Sequence, residues 1–509
     1  MDRQIRRLGI ALTLLFAVLF AQMAYVQVIA ADRIKNDPAN ATRQIIAEYK
    51  VERGAILSQD GRVLAKSVKA KGSTDYLYER NYPDGPLYAA ITGYYSRVYG
   101  RTALESSMNE YLSGEAPELA VSNFSDLVLG KPKKGGTVKT SIRTYLQEAA
   151  ARALGTLPGA VVAVDPGNGD VMAMVANPSY DPNLLSQGTA DDMKKAWTAY
   201  NADPEKPMLS RAKDELYLPG STFKIITTSA AFQHGYKPET TVPNPRVLDL
   251  PLTNGTLENF GGSVCNGGSA TVTVAEAFQE SCNVPFAEIG LDLGAKRMSD
   301  QARAFGFCPT DPPEQTECID PTLSFEVPFQ VGRFPIPEYF VDNDPLLAFS
   351  AIGLDNVVTN PLHMALVGAT IANGGTMYEP RLVREIRDPQ GRVIRTFDPL
   401  KYGQPVSPNT ADQVRQLMVS VVDGGTGYEA AIPGVVVAGK TGTATNGPGR
   451  NPNAWFVAFA PAGPNDVPQI AVAVIVLDGG DLGSEATGGR VAAPIAREVI
   501  AAFLRRSGG

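Results

Sequence analysis

Two apolar, β-branched runs, Ala160 to Val164 and Val171 to Val175, flank the turn-forming Asp165-Pro166-Gly167-Asn168-Gly169-Asp170 and predict a hairpin. Three further strand-like runs, Val435 to Val437, Ala454 to Phe459 and Ile470 to Leu477, come only near the C-terminus. Between these two groups the apolar spacing is helical, at Thr222 to Gln233, Val274 to Glu280, Asn283 to Leu293 and Pro361 to Ala372. Val491 to Arg505 closes the chain as an amphipathic helix. A chain ordered this way buries its strands by bringing both ends of the domain into one sheet. The expected fold is therefore α+β, an antiparallel sheet of five strands with helices packed on it.

The N-terminus is of another kind. Leu8 to Ala31 is a run of 24 uncharged residues, which as a helix spans about 36 Å at roughly 1.5 Å per residue, enough to cross a bilayer. Arg3, Arg6 and Arg7 precede it against a single Asp2, so the positive-inside rule places residues 1–7 in the cytoplasm and the chain after Asp32 outside. A cleaved signal peptide is the alternative, but the run is much longer than a signal core of about 7 to 15 residues. Residues 32–136 read as a separate unit of short strands and turns. Within it Arg53-Gly54-Ala55-Ile56 and Gly61-Arg62-Val63-Leu64-Ala65 flank Gln59-Asp60 as a hairpin, and Lys131-Pro132-Lys133-Lys134-Gly135-Gly136 has the look of a linker. Residues 137–509 form the main domain. With 53 acidic against 46 basic side chains, a net charge of -7, there is no basic footprint for nucleic acid.

Chemistry is concentrated in three short patterns that occur in order. Ser-x-x-Lys occurs at Ser210 and Ser221, Ser-x-Asn at Ser107, Ser281 and Ser407, and Lys-Thr-Gly once, at Lys440-Thr441-Gly442. Ser210-Arg211-Ala212-Lys213 has polar neighbours and reads as a surface segment. Ser221-Thr222-Phe223-Lys224 follows Pro219-Gly220 and opens the apolar stretch Ile225, Ile226, Ala230, Ala231, Phe232. There the serine sits over the positive end of a helix with a lysine one turn on, and a lysine whose pKa is lowered by burial can take the hydroxyl proton. Ser281-Cys282-Asn283 falls between two helical stretches, which suits Ser281 to relaying a proton and Asn283 to an amide contact. Ser407 reads as a helix cap. Gly434 to Thr441 also matches the nucleotide loop G-x-x-x-x-G-K-[ST], but its intervening residues are strand-like and Gly442 to Gly449 does not start a helix. Read as a strand, the segment sets Lys440, Thr441 and Thr443 along an edge, a cation and hydroxyls suited to a carboxylate, with Gly442 letting a substrate near the backbone.

With these motifs the chain resembles the class B penicillin-binding proteins, most closely those of the actinobacterial penicillin-binding protein A type. Arg53-Gly54, Asp60-Gly61, Leu64-Ala65, Arg80, Tyr82-Pro83, Gly93-Tyr94, Gly100 and Leu104-Glu105 look like the family's pedestal motifs. Ser350-Ala351-Ile352-Gly353, Pro361-Leu362, Ala372-Asn373-Gly374-Gly375 and Trp455-Phe456 also fit. The resemblance implies helices on both faces of the sheet, a β-rich pedestal of the dimerisation-domain type, and a single-pass protein of the plasma membrane with its catalytic domain outside. It implies a peptidoglycan D,D-transpeptidase that takes stem peptides ending in D-Ala-D-Ala and is acylated by β-lactams. Ser221 would be the nucleophile, Lys224 its base, and Ser281, Asn283 and Lys440 the rest of the catalytic set. Thr441, Gly442 and Thr443 would bind substrate, and the backbone N–H groups of Ser221 and Thr443 would form the oxyanion hole. No metal or organic cofactor is implied, and a membrane glycosyltransferase would be the partner. A D,D-carboxypeptidase, a β-lactamase, or a penicillin sensor without turnover are the alternatives.

Two departures stand out: Ile352-Gly353-Leu354-Asp355 where relatives read Ile-Gly-Gln, and His363 where glutamine is common. The four cysteines, Cys265, Cys282, Cys308 and Cys318, form an even set outside the cell and allow three connectivities. Nearness in sequence favours Cys265 with Cys282 and Cys308 with Cys318; buried unpaired thiols are the alternative.

Overall fold

The computed structural model describes residues 2–26, 48–70, 76–119, 132–312, 318, 323–445, 447 and 449–507. Its first element, α1 (Asp2–Ala24), is exposed along the chain's surface, and among the described residues it contains the one helix long and apolar enough to cross a membrane. Residues 27–31 of the expected span and Lys131 of the expected linker lie outside the described residues.

In the N-terminal unit, β1 (Ile56–Leu57) and β2 (Val63–Lys69) pair antiparallel around Gln59-Asp60-Gly61, where Gly61 takes a φ of 85° that an L side chain rarely adopts. β3 (Tyr78–Asn81) extends the ladder, and α2 (Gly85–Thr92) with two shorter helices completes the unit among the described residues. Three of the scattered pedestal residues, Arg53, Arg80 and Glu105, meet at one buried point. Glu105 accepts from Arg53 Nε and Arg80 Nε, each at 2.6 Å, while the Arg53 guanidinium lies 4.2 Å from the centre of the Tyr95 ring. Burial opposes ionisation of Glu105, but the two arginines prevail and hold its carboxyl below the usual range.

β4 (Thr137–Thr140) runs parallel to β1 on one side and antiparallel to Val383–Arg387 on the other. With Val393–Thr396 beyond, the two parts of the chain share a six-stranded sheet. After α3 (Thr144–Leu154) comes the expected hairpin, β5 (Gly159–Val164) and β6 (Val171–Asn177). The middle of the chain supplies α4 (Lys224–Gln233), α5 (Val274–Gln279), α6 (Asn283–Ala304), α7 (Pro361–Ala372) and α8 (Pro408–Gly424). Then β7 (Ala438–Thr445), β8 (Pro452–Ala460) and β9 (Ile470–Val476) return to the sheet, and α9 (Ala493–Ser507) closes it. The order β7-β8-β9-β5-β6 is antiparallel throughout, assembled from both ends of the domain.

The strands read as continuous apolar runs because both faces are covered. In β5, Ala160, Val162 and Val164 enter the core beneath α4, α7 and α8, whereas Val161 and Ala163 enter a second core beneath α3 and α9. Val435 to Val437 is not the strand expected there: Val435 makes only an isolated bridge to Ile432, and pairing starts at Ala438. The strand is shifted toward its own polar end, since each residue from Ala438 to Thr445 finds a partner on β8.

Candidate active site

Ser221 sits where a 3-10 turn, Gly220–Phe223, runs directly into α4. Gly220 makes the turn at φ 52° and donates its N–H to the carbonyl of Gly353 at 2.9 Å. A Cβ on Gly353 would stand 2.2 Å from the Gly220 carbonyl oxygen, so Ser350 to Gly353 is a backbone buttress for the nucleophile turn. From the helix side, Thr227 Oγ1 donates to the Ala351 carbonyl at 2.6 Å. Phe223 is fixed between Phe334, stacked at 5.5 Å, and Phe307, edge-on at the same distance. Ser221 itself remains partly exposed.

Lys224, one turn on, is fully buried. Its Nζ donates to the carbonyls of Ser281 and Cys282 at 2.8 and 2.9 Å and to Asn283 Oδ1 at 2.9 Å. These bonds require the turn between α5 and α6 to present two carbonyls inward, and Ser281 achieves this at φ 63°, a left-handed conformation uncommon outside glycine. The same turn aims the Ser281 hydroxyl the other way, where Lys440 Nζ donates to it at 2.7 Å. Two buried lysines thus share one turn. Burial, reinforced by the nearby Lys440 charge, holds Lys224 well below its usual range, and burial lowers Lys440 to about 7.

Lys440, Thr441 and Thr443 lie within β7, an edge strand whose Gly442 faces the nucleophile turn. A Cβ there would come within 2.7 Å of the Pro219 carbonyl oxygen and 2.9 Å of Thr222 Cγ2. Gly442 therefore lets the strand seat against the helix start. Trp455, opposite Gly442 on β8, donates its indole N–H to the Leu218 carbonyl at 3.0 Å and pins that turn from behind. Between strand and turn opens a cleft of about 600 Å³ lined by Ser221, Ser281, Asn283, Thr441, Gly442 and Thr443. The Thr441 hydroxyl meets that of Thr426 at 2.7 Å, and Thr443 Oγ1 accepts from the Gly488 N–H at 3.4 Å.

Apart from the two cysteine pairs, which form as nearness in sequence favoured, the cleft's outer wall leaves little signal in the sequence. Asn259 Oδ1 accepts the N–H groups of Asn283 and Val284, at 2.7 and 3.0 Å, and so caps the start of α6. Cys265 is joined to Cys282, with Cα atoms 6.1 Å apart, and Cys308 to Cys318 at 5.6 Å. The first bridge ties the Asn259–Gly268 loop to the Ser281 turn. Thr426, Tyr428, Thr487 and Arg490 also line the cleft. Only glycine pairs, Gly424-Gly425 and Gly488-Gly489, mark these loops in the sequence: a Cβ on Gly488 would meet the Trp455 carbonyl at 2.1 Å.

The other Ser-x-x-Lys is not a surface segment. Ser210, Arg211, Ala212 and Lys213 are all buried, with Lys213 Nζ bonded to Asp214 at 2.6 Å and to the Pro328 carbonyl at 2.8 Å. Its polar side chains are covered by tertiary packing that local composition does not foretell. Ser407 caps α8 through the N–H of Thr410. The nucleotide-loop match is occupied by β7 from Ala438 onward, so it is not a loop leading into a helix. Cys265, Cys282 and Glu280 are the one cluster of metal-ligand type among the described residues, and its sulfurs are bonded to each other.

The family model for the penicillin-binding protein transpeptidase domain matches residues 159–501, and that for the penicillin-binding protein A dimerisation domain matches residues 53–138. The chain belongs to the penicillin-binding protein transpeptidases. It is 41% identical to the peptidoglycan D,D-transpeptidase PbpA of Mycolicibacterium smegmatis and 38% identical to that of Mycobacterium tuberculosis, over 99% of each chain in both cases. Among solved structures it is similar to the ceftriaxone acyl-enzyme complex of penicillin-binding protein A from M. tuberculosis, with a TM-score of 0.81 at 38% identity, covering 90% of this chain and 100% of that one. The penicillin G acyl-enzyme complex of the same protein matches with a TM-score of 0.79 at 37% identity, over 89% and 100%. The penicillin-binding protein fold is thus the frame in which the cleft lies.

Proposed function

We propose that this penicillin-binding protein is a peptidoglycan D,D-transpeptidase acting through an acyl-enzyme on Ser221. The observation that carries the reading is the Ser281 turn, which binds Lys224 through its carbonyls and Lys440 through its hydroxyl beside a cleft open to Ser221. Lys224, kept poor in protons by burial, takes the Ser221 proton as Oγ attacks the penultimate D-Ala carbonyl. The N–H groups of Ser221 and Thr443 receive the developing oxyanion. Lys440, Thr441 and Thr443 hold the terminal carboxylate, with Gly442 admitting substrate beside the strand, and Ser281 passes a proton to the departing D-Ala amine. Asn283 fixes Lys224 and contacts the peptide amide. An amine of a second stem peptide then resolves the ester, and β-lactams, which carry both a strained amide and a carboxylate, acylate the same serine.

The apolar α1 supports a plasma-membrane anchor for residues 8–31, and Arg3, Arg6 and Arg7 support a cytoplasmic tail at 1–7 with the rest outside. Residues 32–136 serve as the pedestal and 137–509 as the transpeptidase domain, and the family resemblance supports a membrane glycosyltransferase as partner. Fluorescent penicillin is the first test. The wild type should label and hold the label, and Ser221→Ala should not label at all; undiminished labelling of the mutant sinks the nucleophile assignment. Rapid release from the wild type would favour a hydrolase, and absence of cross-linking on stem peptides would leave a sensor.

A further inference from the structure

Among the described residues lining the cleft, Glu280 is the only carboxylate and Arg490 the only guanidinium. Glu280 immediately precedes Ser281 and is exposed. One of its oxygens accepts the N–H of Asn266 at 3.0 Å, and its carboxylate lies within 4.8 Å of the sulfurs of Cys265 and Cys282. That hydrogen bond ties the side chain to the disulfide-bridged loop, yet a carboxylate offers about four acceptor positions, and one hydrogen bond leaves most of them open. No cation pairs with it among the described residues. The two lysines of the site are buried, and Arg490, which also lines the cleft, donates to the carbonyl of Glu485 at 3.1 Å.

The nucleophile that resolves the acyl-enzyme has to be told apart from water. Before reaction an aliphatic amine in water is mostly an ammonium ion, whereas water carries no charge, so a fixed carboxylate at the cleft mouth discriminates between them by charge. We propose that Glu280 is the acceptor-binding residue of this enzyme: its carboxylate receives the ammonium of the incoming amine and raises its local concentration beside the Ser221 ester. The proposal rests on the transpeptidase reading above. In the step itself the amine sheds one proton to solvent, its nitrogen bonds to the acyl carbon, the bond from that carbon to Ser221 Oγ breaks, and the second amine proton returns to Oγ. Glu280 forms no covalent bond and is unchanged at the end.

The test is Glu280→Gln, which keeps an oxygen for the Asn266 N–H and removes the charge. Full-length protein in detergent is given an N-acyl-D-alanyl thioester donor and an amino acid amide, whose only ionised group is its ammonium, and the aminolysis and hydrolysis products are quantified. The aminolysis-to-hydrolysis ratio should fall about five-fold at low salt, the worth of one exposed charge pair, and the difference should shrink at about 0.5 M salt. Acylation by penicillin G should fall by a smaller factor than the ratio. An unchanged ratio overturns the proposal, and so does an equal loss of acylation, which would assign Glu280 to the architecture of the turn. Absence of aminolysis in the wild type would instead defeat the transpeptidase reading on which the proposal stands.

Discussion

Lys224 lies among three oxygen acceptors that together satisfy all three N–H bonds of an ammonium ion, and such bonds favour the charged form. Burial and the Lys440 charge favour the neutral amine, and they win. Lys224 is therefore held toward its neutral amine, while Lys440, near 7, is the cation that a substrate carboxylate would reinforce. A lysine with a lowered pKa is a base above that value and a cation below it, so both limbs can be assigned. Acylation by penicillin G should rise with pH as Lys224 becomes neutral, then decline above about 7 as Lys440 loses its charge. Stopped-flow acylation rates would show a bell whose two apparent values belong to the coupled pair; a rate that does not fall toward acid pH would remove Lys224 from the base role. Lys224→Arg, which keeps the charge but cannot deprotonate, should lose acylation by roughly 10² to 10⁴-fold. The motif letters and their order were legible in the sequence. The depressed ionisation was not, because it depends on what encloses the side chain.

At the scale of elements, the site is a contact between an edge strand and a helix start, with glycine at the point of closest approach. Gly442→Ala would place a methyl carbon 2.7 Å from the Pro219 carbonyl and force β7 away from Ser221. The loss of alignment should lower penicillin acylation on the order of 100-fold. A melting temperature close to wild type would separate this effect from unfolding, and unaltered acylation would refute the close-packing argument. The strand runs of the main sheet were readable because both faces are buried, which leaves unbroken apolar segments. β7 starts later than its apolar lead Val435 to Val437 suggests, at Ala438, whereas the strand reading of Lys440, Thr441 and Thr443 holds, each of them pairing with β8. Of α8 the sequence shows only its Ser407 cap, and α3 leaves no separate signal there although Leu146, Ala150 and Leu154 do carry helical spacing. The wall from Asn259 to Gly268 left no periodic trace at all, since it is held by one amide cap and one disulfide.

Over the whole molecule, the N-terminal unit and the main domain are joined through β4, paired to both. Close to that seam Glu105 neutralises Arg53 and Arg80 in a fully buried triad. Glu105→Gln would leave two buried cations short of a counter-charge, a change that costs about 3 to 5 kcal/mol. Limited proteolysis should then cut first within residues 48–119, with penicillin labelling at Ser221 outlasting the pedestal; simultaneous loss of both would mean that the two parts unfold as one unit. By itself the sequence determined the anchor-like segment, the sheet built from both chain ends, and the order of the three motifs, because apolar periodicity and local spacing express themselves along the chain. Only the tertiary structure showed that the Ser-x-x-Lys favoured by its apolar context, at Ser221, faces a cleft and that one left-handed serine turn carries both lysines. It also decided that Asn259, Glu280 and Thr426 belong to the site. Those facts depend on residues far apart in the chain sharing one small volume, where burial sets their charge and close packing sets their geometry.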